Sequence, residues 1–221
     1  VAYLIVSAGR IGLMLAAPLL LLALLVMPPV AQAGAVPAAA LRWQAELTRA
    51  AQYSYGLNAP VATLAAMVHQ ESRWQPEAVS PAGAQGLAQF MPATAEWMAE
   101  QYPLLGDPAP YDPRWSLQAM VLYTAWLNNR IQARSPCDKW AMVLSAYNGG
   151  IGWLRRDQRL ASASGADQLA WFNATERFNA GRSAANFAEN RHYPTIILQR
   201  WTPLYYREGW GSGVCAERWA L

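Results

Sequence analysis

The stretch Met67–Ala95 reads MVHQESRWQPEAVSPAGAQGLAQFMPATA, and the fold turns on the change of pattern inside it. An apolar helical run ends at Glu71-Ser72, and a loop studded with Gly83 and Gly86 follows. Pro92 then starts another helix, because proline at the first helical position gives up no hydrogen bond. Upstream, Asn58 is a candidate N-cap, with Pro60 in the first turn of a helix running to about Ser72. At 100° per residue, Val61, Leu64, Ala65 and Val68 share one core-facing stripe. Glu71 lies seven residues beyond Leu64 and projects within about 20° of it. Its carboxylate therefore points along the buried face, in the last turn, where the helix dipole presents negative partial charge. Burial and dipole both disfavour the ionised form. A pKa rise of roughly two units would leave a useful fraction protonated near neutral pH. A held proton is what general-acid chemistry requires. The competing reading is a frayed helix end with Glu71 solvated, the usual fate of a terminal charge.

The same periodicity extends outward. Leu41 to Gln52 reads as a first helix, and Pro92 to about Gln101 as another. Residues 103–115 (PLLGDPAPYDPRW) carry four prolines and read as loop. Ser116 is a candidate cap for an amphipathic run to about Ala133. Lys139 to Tyr147 is helical and ends at Asn148-Gly149-Gly150. Ile151 to Leu160 resumes, SASGAD (residues 162–167) breaks it, and a last helix spans Ala184 to Gln199 with an interruption expected at Pro194. Alternating β-branched and aromatic runs are almost missing. The expectation is an all-α, single-domain fold.

The chain has 221 residues, 54% hydrophobic and 14% charged, enough for one sizeable core. Much of the apolar excess sits at the front, where residues 11–27 read IGLMLAAPLLLLALLVM behind Arg10. Ala31-Gln32-Ala33 then has the small-x-small form of a signal-peptidase site. Residues 1–33 read as a secretory signal peptide, with an uncleaved N-terminal membrane anchor as the alternative. Residues 34–221 would then work outside the cytoplasm, in the periplasm. Without Arg10 the net charge falls from +3 to +2. The basic residues are scattered arginines with one lysine, Lys139, and form no stripe of the kind that binds nucleic acid. Cys137 and Cys215 are an even pair that an exported protein could join in a disulfide, although spacing cannot show that they meet. The two histidines, His69 and His192, lack ligand spacing, so no metal or other cofactor is expected. His69 reads as structural.

Three further stretches carry polar chemistry. SPAGAQGLAQFMP (residues 80–92) offers Ser80, Gln89 and backbone amides to a groove, or is an ordinary connector. SAYNGG (residues 145–150) ends a helix, and its Tyr147 and Asn148 belong to a cap or to a site. AENRHYPTIIL (residues 188–198) places Glu189 and Arg191 too close for a helical ion pair, so each needs a tertiary partner, and Tyr193 could reach the groove.

Taken together, Glu71-Ser72, the loop Gly86-Leu87-Ala88-Gln89 with Met91 to Ala95 after it, Ala146 to Gly150, and the late ExRxY of Glu189, Arg191 and Tyr193 resemble the catalytic domain of the soluble lytic transglycosylases, relatives of goose-type lysozyme. The likeness covers about residues 45–200. It implies a lysozyme-like α-domain and a peptidoglycan lyase. That enzyme would cut the β-1,4 bond between N-acetylmuramic acid and N-acetylglucosamine in glycan strands and close a 1,6-anhydro ring. By similarity Glu71 is the single acid and then base. Ser80, Gln89, Met91, Tyr147, Asn148 and Tyr193 would contact substrate, with Glu189 and Arg191 organising the site. Where the family loop reads GLMQ, this chain has Ala88, which should widen a subsite wall. Trp74, beside the acid, is the candidate sugar-facing tryptophan. The aromatic segment 155–186 and nearby Trp153 form either a flap or extra packing, and packing is favoured.

Ordinary glycosidases use two carboxylates. The acid nearest Glu71 in sequence is Glu77, in the loop. A muramidase-type hydrolase would need a water-positioning acid, with Glu189 or Asp112 as candidates. A non-catalytic peptidoglycan-binding or scaffold protein is the third reading. A small wall-opening enzyme would suit a secretion or conjugation apparatus as partner.

Overall fold

The computed structural model describes residues 35–219, and the apolar run and the cleavage motif lie outside them. Among the described residues the elements are helical: α1 (Ala38–Leu41), α2 (Gln44–Tyr55), α3 (Val61–Ser72), α4 (Pro92–Gln101), α5 (Pro113–Arg130), α6 (Pro136–Gly149), α7 (Ile151–Ala163), α8 (Ala184–Ile196) and α9 (Thr202–Arg207). A π-helical turn, Ile197–Trp201, joins α8 to α9. None of the described helices is long and apolar enough to cross a membrane.

The centre is α3. Every residue from Val61 to His69 is buried, so the helix has no solvent face and its single stripe is an underestimate. Small side chains (Ala62, Ala65 and Ala66) let neighbours approach from all sides. α2 packs on one flank, and α9 with the π turn on the other. The circuit closes through α5 against α2, α6 against α5, α8 against α6, and α8 into the π turn. α7 packs on the outside of α6. A helix enclosed in this way presents only its ends to a surface, and Glu71 is at one of them.

Local chemistry sets the helix starts, and at α3, α5 and α6 it differs from the sequence expectation. α3 begins after Pro60, whose carbonyl accepts from the amides of Thr63 and Leu64 at 3.0 Å. Asn58 is exposed and too far upstream to cap it. α5 is capped by Asp112, which accepts from the amides of Arg114 (2.7 Å) and Trp115 (3.2 Å). Asp112-Pro113 is a stronger start than Ser116, because proline supplies the first helical φ. Ser116 is instead buried inside α5, and its hydroxyl accepts from the Ala88 amide at 3.1 Å. Asp112 is spent on capping. α6 begins at Pro136 under a Ser135 cap, three residues ahead of Lys139. Pro194 sits inside α8 rather than ending it, and the missing N–H is followed by the widened π turn.

Cys137, in the first turn of α6, is bonded to Cys215 in the C-terminal segment, across 78 residues. The bond ties that segment to the bundle. A loop of this length restricts the unfolded chain by about 4 kcal/mol in the chain-entropy picture. Urea unfolding with and without reductant should show the reduced protein less stable by up to about that amount, and Cys215→Ser should match it.

Candidate active site

α3 ends where two successive non-glycine residues, Arg73 (φ 51°) and Trp74 (φ 64°), take left-handed backbone conformations. The Arg73 amide returns to the His69 carbonyl at 3.1 Å and closes the helix. This double turn sends Trp74 into the core, where it is fully buried and its Nε1 donates to the Tyr205 hydroxyl at 2.6 Å. Trp74 therefore cannot face a sugar. The Tyr205 hydroxyl also shares a hydrogen bond with Nδ1 of His69 at 3.0 Å, and the imidazole stacks on Trp201. Burial pushes the His69 pKa down to about 4, so the ring is neutral and structural.

The loop beyond is held by short-range bonds. The Gly86 amide donates to the Ala78 carbonyl at 2.9 Å, and Gln85 and Phe90 exchange both backbone bonds. Gly86 has φ +75°, and a Cβ there would meet the Pro110 carbonyl oxygen at 1.7 Å, so only glycine fits. Gln89 spends its amide N–H groups on the carbonyls of Ala78 (3.0 Å) and Gly86 (2.9 Å). The Ser80 hydroxyl accepts from the Ala84 amide at 3.0 Å. Ala88 is fully buried and absent from the cavity lining, so its departure from the family loop alters the core and not a subsite wall.

A cavity of about 360 Å³ opens between this loop, the end of α3 and the end of α6. Its walls include Glu71, Ser80, Gln89, Met91, Tyr147, Asn148 and Glu189. Two unforeseen residues, Thr94 of α4 and Tyr123 of α5, also line it. Thr94 falls within the Met91–Ala95 stretch but is not among the candidate site residues, and no motif marks Tyr123. Glu71 is half-buried at its edge, and its pKa is pushed up to about 8. Loss of hydration is the main cause; a hydrogen bond from Tyr193 opposes it, and the negative charge of Glu189 adds to it. The carboxyl can thus give a proton near neutral pH and take one back.

Tyr193 does not line the cavity. It is buried behind Glu71, and its hydroxyl donates to Glu71 Oε1. Burial and the adjacent Glu71 charge hold its own pKa far above the phenol range, so it stays a donor. It is placed to orient the carboxyl, and its hydroxyl faces Glu71 and not the cavity where a substrate contact was expected. Tyr147, from α6, donates to the Ala88 carbonyl at 2.8 Å and so ties α6 to the loop.

Arg191 acts from deeper still. Asp157 of α7, fully buried, accepts from Arg182 at 2.5 Å and Arg191 at 2.7 Å. Arg191 also donates to Asn190 Oδ1 at 2.5 Å. Asn190 donates to Asn148 Oδ1 at 2.9 Å, and Asn148 donates to Glu189 Oε1 at 3.3 Å. The cavity-lining Asn148 is thereby connected to a buried ion cluster that the sequence did not reveal. Segment 155–186 is packing: Trp171 is buried, Trp153 and Trp171 lie beside the guanidinium groups of Arg182 and Arg191, and neither lines the cavity. Among the described residues the one grouping of Cys, His and carboxylates close enough to share an ion is Cys137, Cys215 and Glu217, and its two sulfurs are bonded to each other.

In this helical domain a glutamic acid of raised pKa stands on a cavity wall at the end of a buried helix. Among solved structures the domain resembles the 70 kDa soluble lytic transglycosylase SLT70 from Escherichia coli, with a TM-score of 0.54 and 23% identity over 80% of this chain and 26% of that one. Residues 46–170, more than half of the chain, match the Transglycosylase SLT domain, and the chain belongs to that family. Curated relatives include the membrane-bound lytic murein transglycosylase F of Pasteurella multocida, 33% identical over 132 residues, which cover 59% of this chain and 24% of the relative. That of Marinobacter nauticus is 34% identical over 114 residues, 51% of this chain and 21% of the relative. The chain thus matches about a quarter of the length of these relatives or less.

Two measurements check the electrostatics. Tyr193→Phe removes a bond that favours the carboxylate, so the Glu71 titration, followed by carboxyl carbon-13 NMR, should move up by about one unit. Glu71 has a pKa of 4.5 when unperturbed and about 8 here. Between those values the native state holds a proton that the unfolded chain has released, so stability falls as pH rises through that window. Glu71→Gln cannot ionise. It should match the native protein in stability change near pH 4 and exceed it by roughly 2–4 kcal/mol near pH 9, read from denaturant unfolding at each pH.

Proposed function

We propose that this chain is a peptidoglycan lytic transglycosylase that cleaves the β-1,4 bond between N-acetylmuramic acid and N-acetylglucosamine and leaves a 1,6-anhydro end. The observation that carries the reading is Glu71, held protonated near neutral pH on the wall of an open cavity. In this mechanism Glu71 gives its proton to the glycosidic oxygen as the bond to C1 breaks. The carboxylate so formed takes the proton of the muramic 6-hydroxyl, whose oxygen closes onto C1. The proton returns to Glu71 and no water is consumed. Tyr193 holds the carboxyl through both steps, and Ser80, Gln89, Met91, Tyr147 and Asn148 line the groove for the strand. Family membership supports the activity.

Residues 34–221 form the proposed catalytic unit, and the disulfide suits an oxidising compartment such as the periplasm. Service to a secretion or conjugation apparatus is proposed from the sequence reading alone.

Glu189 favours a second reading. It lines the same cavity and is an acid that could position water for hydrolysis. Its bond from Asn148 fits better with an organising role. Digestion of peptidoglycan sacculi followed by mass spectrometry of the muropeptides separates the two. Anhydro products are expected from the native protein and none from Glu71→Gln. Glu189→Gln should still form anhydro ends. Reducing-end products would replace the lytic mechanism with hydrolysis.

A further inference from the structure

Beside the active-site cavity lies a second one of about 250 Å³, lined by Ala93, Thr94, Trp97, Tyr123 and Trp126. Thr94 and Tyr123 line both cavities, so one wall runs without a break from one to the other. Two helices build it by the same device. On α4, Trp97 sits one turn beyond Ala93 and Thr94. On α5, Trp126 sits one turn beyond Tyr123. The small side chains leave room, and the large rings frame it.

The rings form a corner. Tyr123 and Trp126 lie at 31° to each other with centroids 6.0 Å apart. Trp97 stands nearly upright to both, at 71° and 5.9 Å from Tyr123 and at 80° and 5.2 Å from Trp126. The Arg130 guanidinium lies 4.1 Å from the Trp126 ring centroid, outside the cavity lining, and helps fix the ring. Trp74 and Trp171 are buried in the core, and exposed rings such as Tyr53 and Tyr206 line neither cavity. Trp97, Tyr123 and Trp126 are only half-buried. A preformed aromatic corner left open to solvent is unusual without a ligand.

We infer that Trp97 and Trp126, with Tyr123, form a stacking subsite for a pyranose ring of the glycan strand beyond the units held at Glu71. The axial C–H face of an amino sugar would lie against one ring, and the perpendicular ring would take its edge or its N-acetyl methyl. An uncharged, apolar wall matches that face and would not attract an acidic or basic peptide. Continuity through Thr94 and Tyr123 selects the same strand as occupant. The inference rests on the proposed peptidoglycan activity for its ligand class.

The test uses binding without turnover. Chitin oligosaccharides, from trimer to hexamer, are titrated into Glu71→Gln and followed by calorimetry. The same series is run with Trp97→Leu and Trp126→Leu added singly, since leucine keeps apolar volume but has no flat face. Affinity should rise about tenfold from the shortest oligomer to the longest in Glu71→Gln. Each leucine variant should lose that rise and leave trimer affinity unchanged. Trp126→Phe, which restores a flat face, should recover much of it, and circular dichroism confirms folding of each variant. An equal rise in all variants overturns the subsite, and so does the failure of every oligomer to bind. The sacculus products judge the chemistry separately. A length effect lost in the leucine variants together with reducing-end products would refute the lytic mechanism and leave the subsite standing. Anhydro products with an unaltered length effect would do the reverse.

Discussion

An ionisable carboxyl at the end of a wholly buried helix is the constraint around which the rest is arranged. Such a group is costly when charged, because it has lost water and faces a helix terminus of like sign. The protein lowers that penalty with one hydrogen bond, from Tyr193, and does not supply a cation. A salt bridge would have pulled the pKa down and left a permanent carboxylate. A lone phenol leaves the proton exchangeable near neutral pH. The chain reversal through Arg73 and Trp74 then carries the backbone sharply away from α3, so that the loop can return as the facing wall of the cavity. Two left-handed non-glycine residues in sequence are each unfavourable by roughly 1–2 kcal/mol, and burial of Trp74 against Tyr205 and Trp210 offsets them.

Charge in the interior is handled in the opposite manner a short distance away. Asp157 with Arg182 and Arg191 is a buried ion cluster with an excess of positive charge. Its guanidinium groups are set beside Trp153 and Trp171, whose ring faces carry negative potential. The cluster passes its geometry outward through Asn190 to Asn148. One region thus keeps a proton mobile and the other keeps side chains still. The two meet at Glu189, which accepts from Asn148 and acts through space on Glu71.

The features legible in the sequence are ones that depend on near neighbours. Glu71 was legible because helical period alone places it beside Leu64. The loop was legible through its glycines, and Pro92 to Gln101 was legible as a helix to both of its ends. What escaped involved partners far along the chain. Tyr193 meets Glu71 across 122 residues, and no local pattern tells a tyrosine that touches substrate from one that holds the acid. Asp157 and Arg182 are 25 residues apart, and no local pattern marks them as a buried ion pair. Trp74 misled for the converse reason: adjacency to Glu71 in sequence was taken as adjacency in the groove, and the left-handed turn separates them. Asn58 and Ser116 have the right chemistry for caps, but α3 starts downstream of Asn58, after Pro60, and α5 starts upstream of Ser116, at Asp112-Pro113.

Asn148-Gly149-Gly150 reads as a helix stop, and Gly150, at φ +90°, does that work. Gly149 is a glycine for another reason: a Cβ there would come within 2.7 Å of Asn190 Nδ2. An alanine at 149 would push the Asn190 amide aside, and that amide is the group that bonds to Asn148 Oδ1. The absent side chain at 149 thus holds open the space through which the buried cluster reaches the cavity wall.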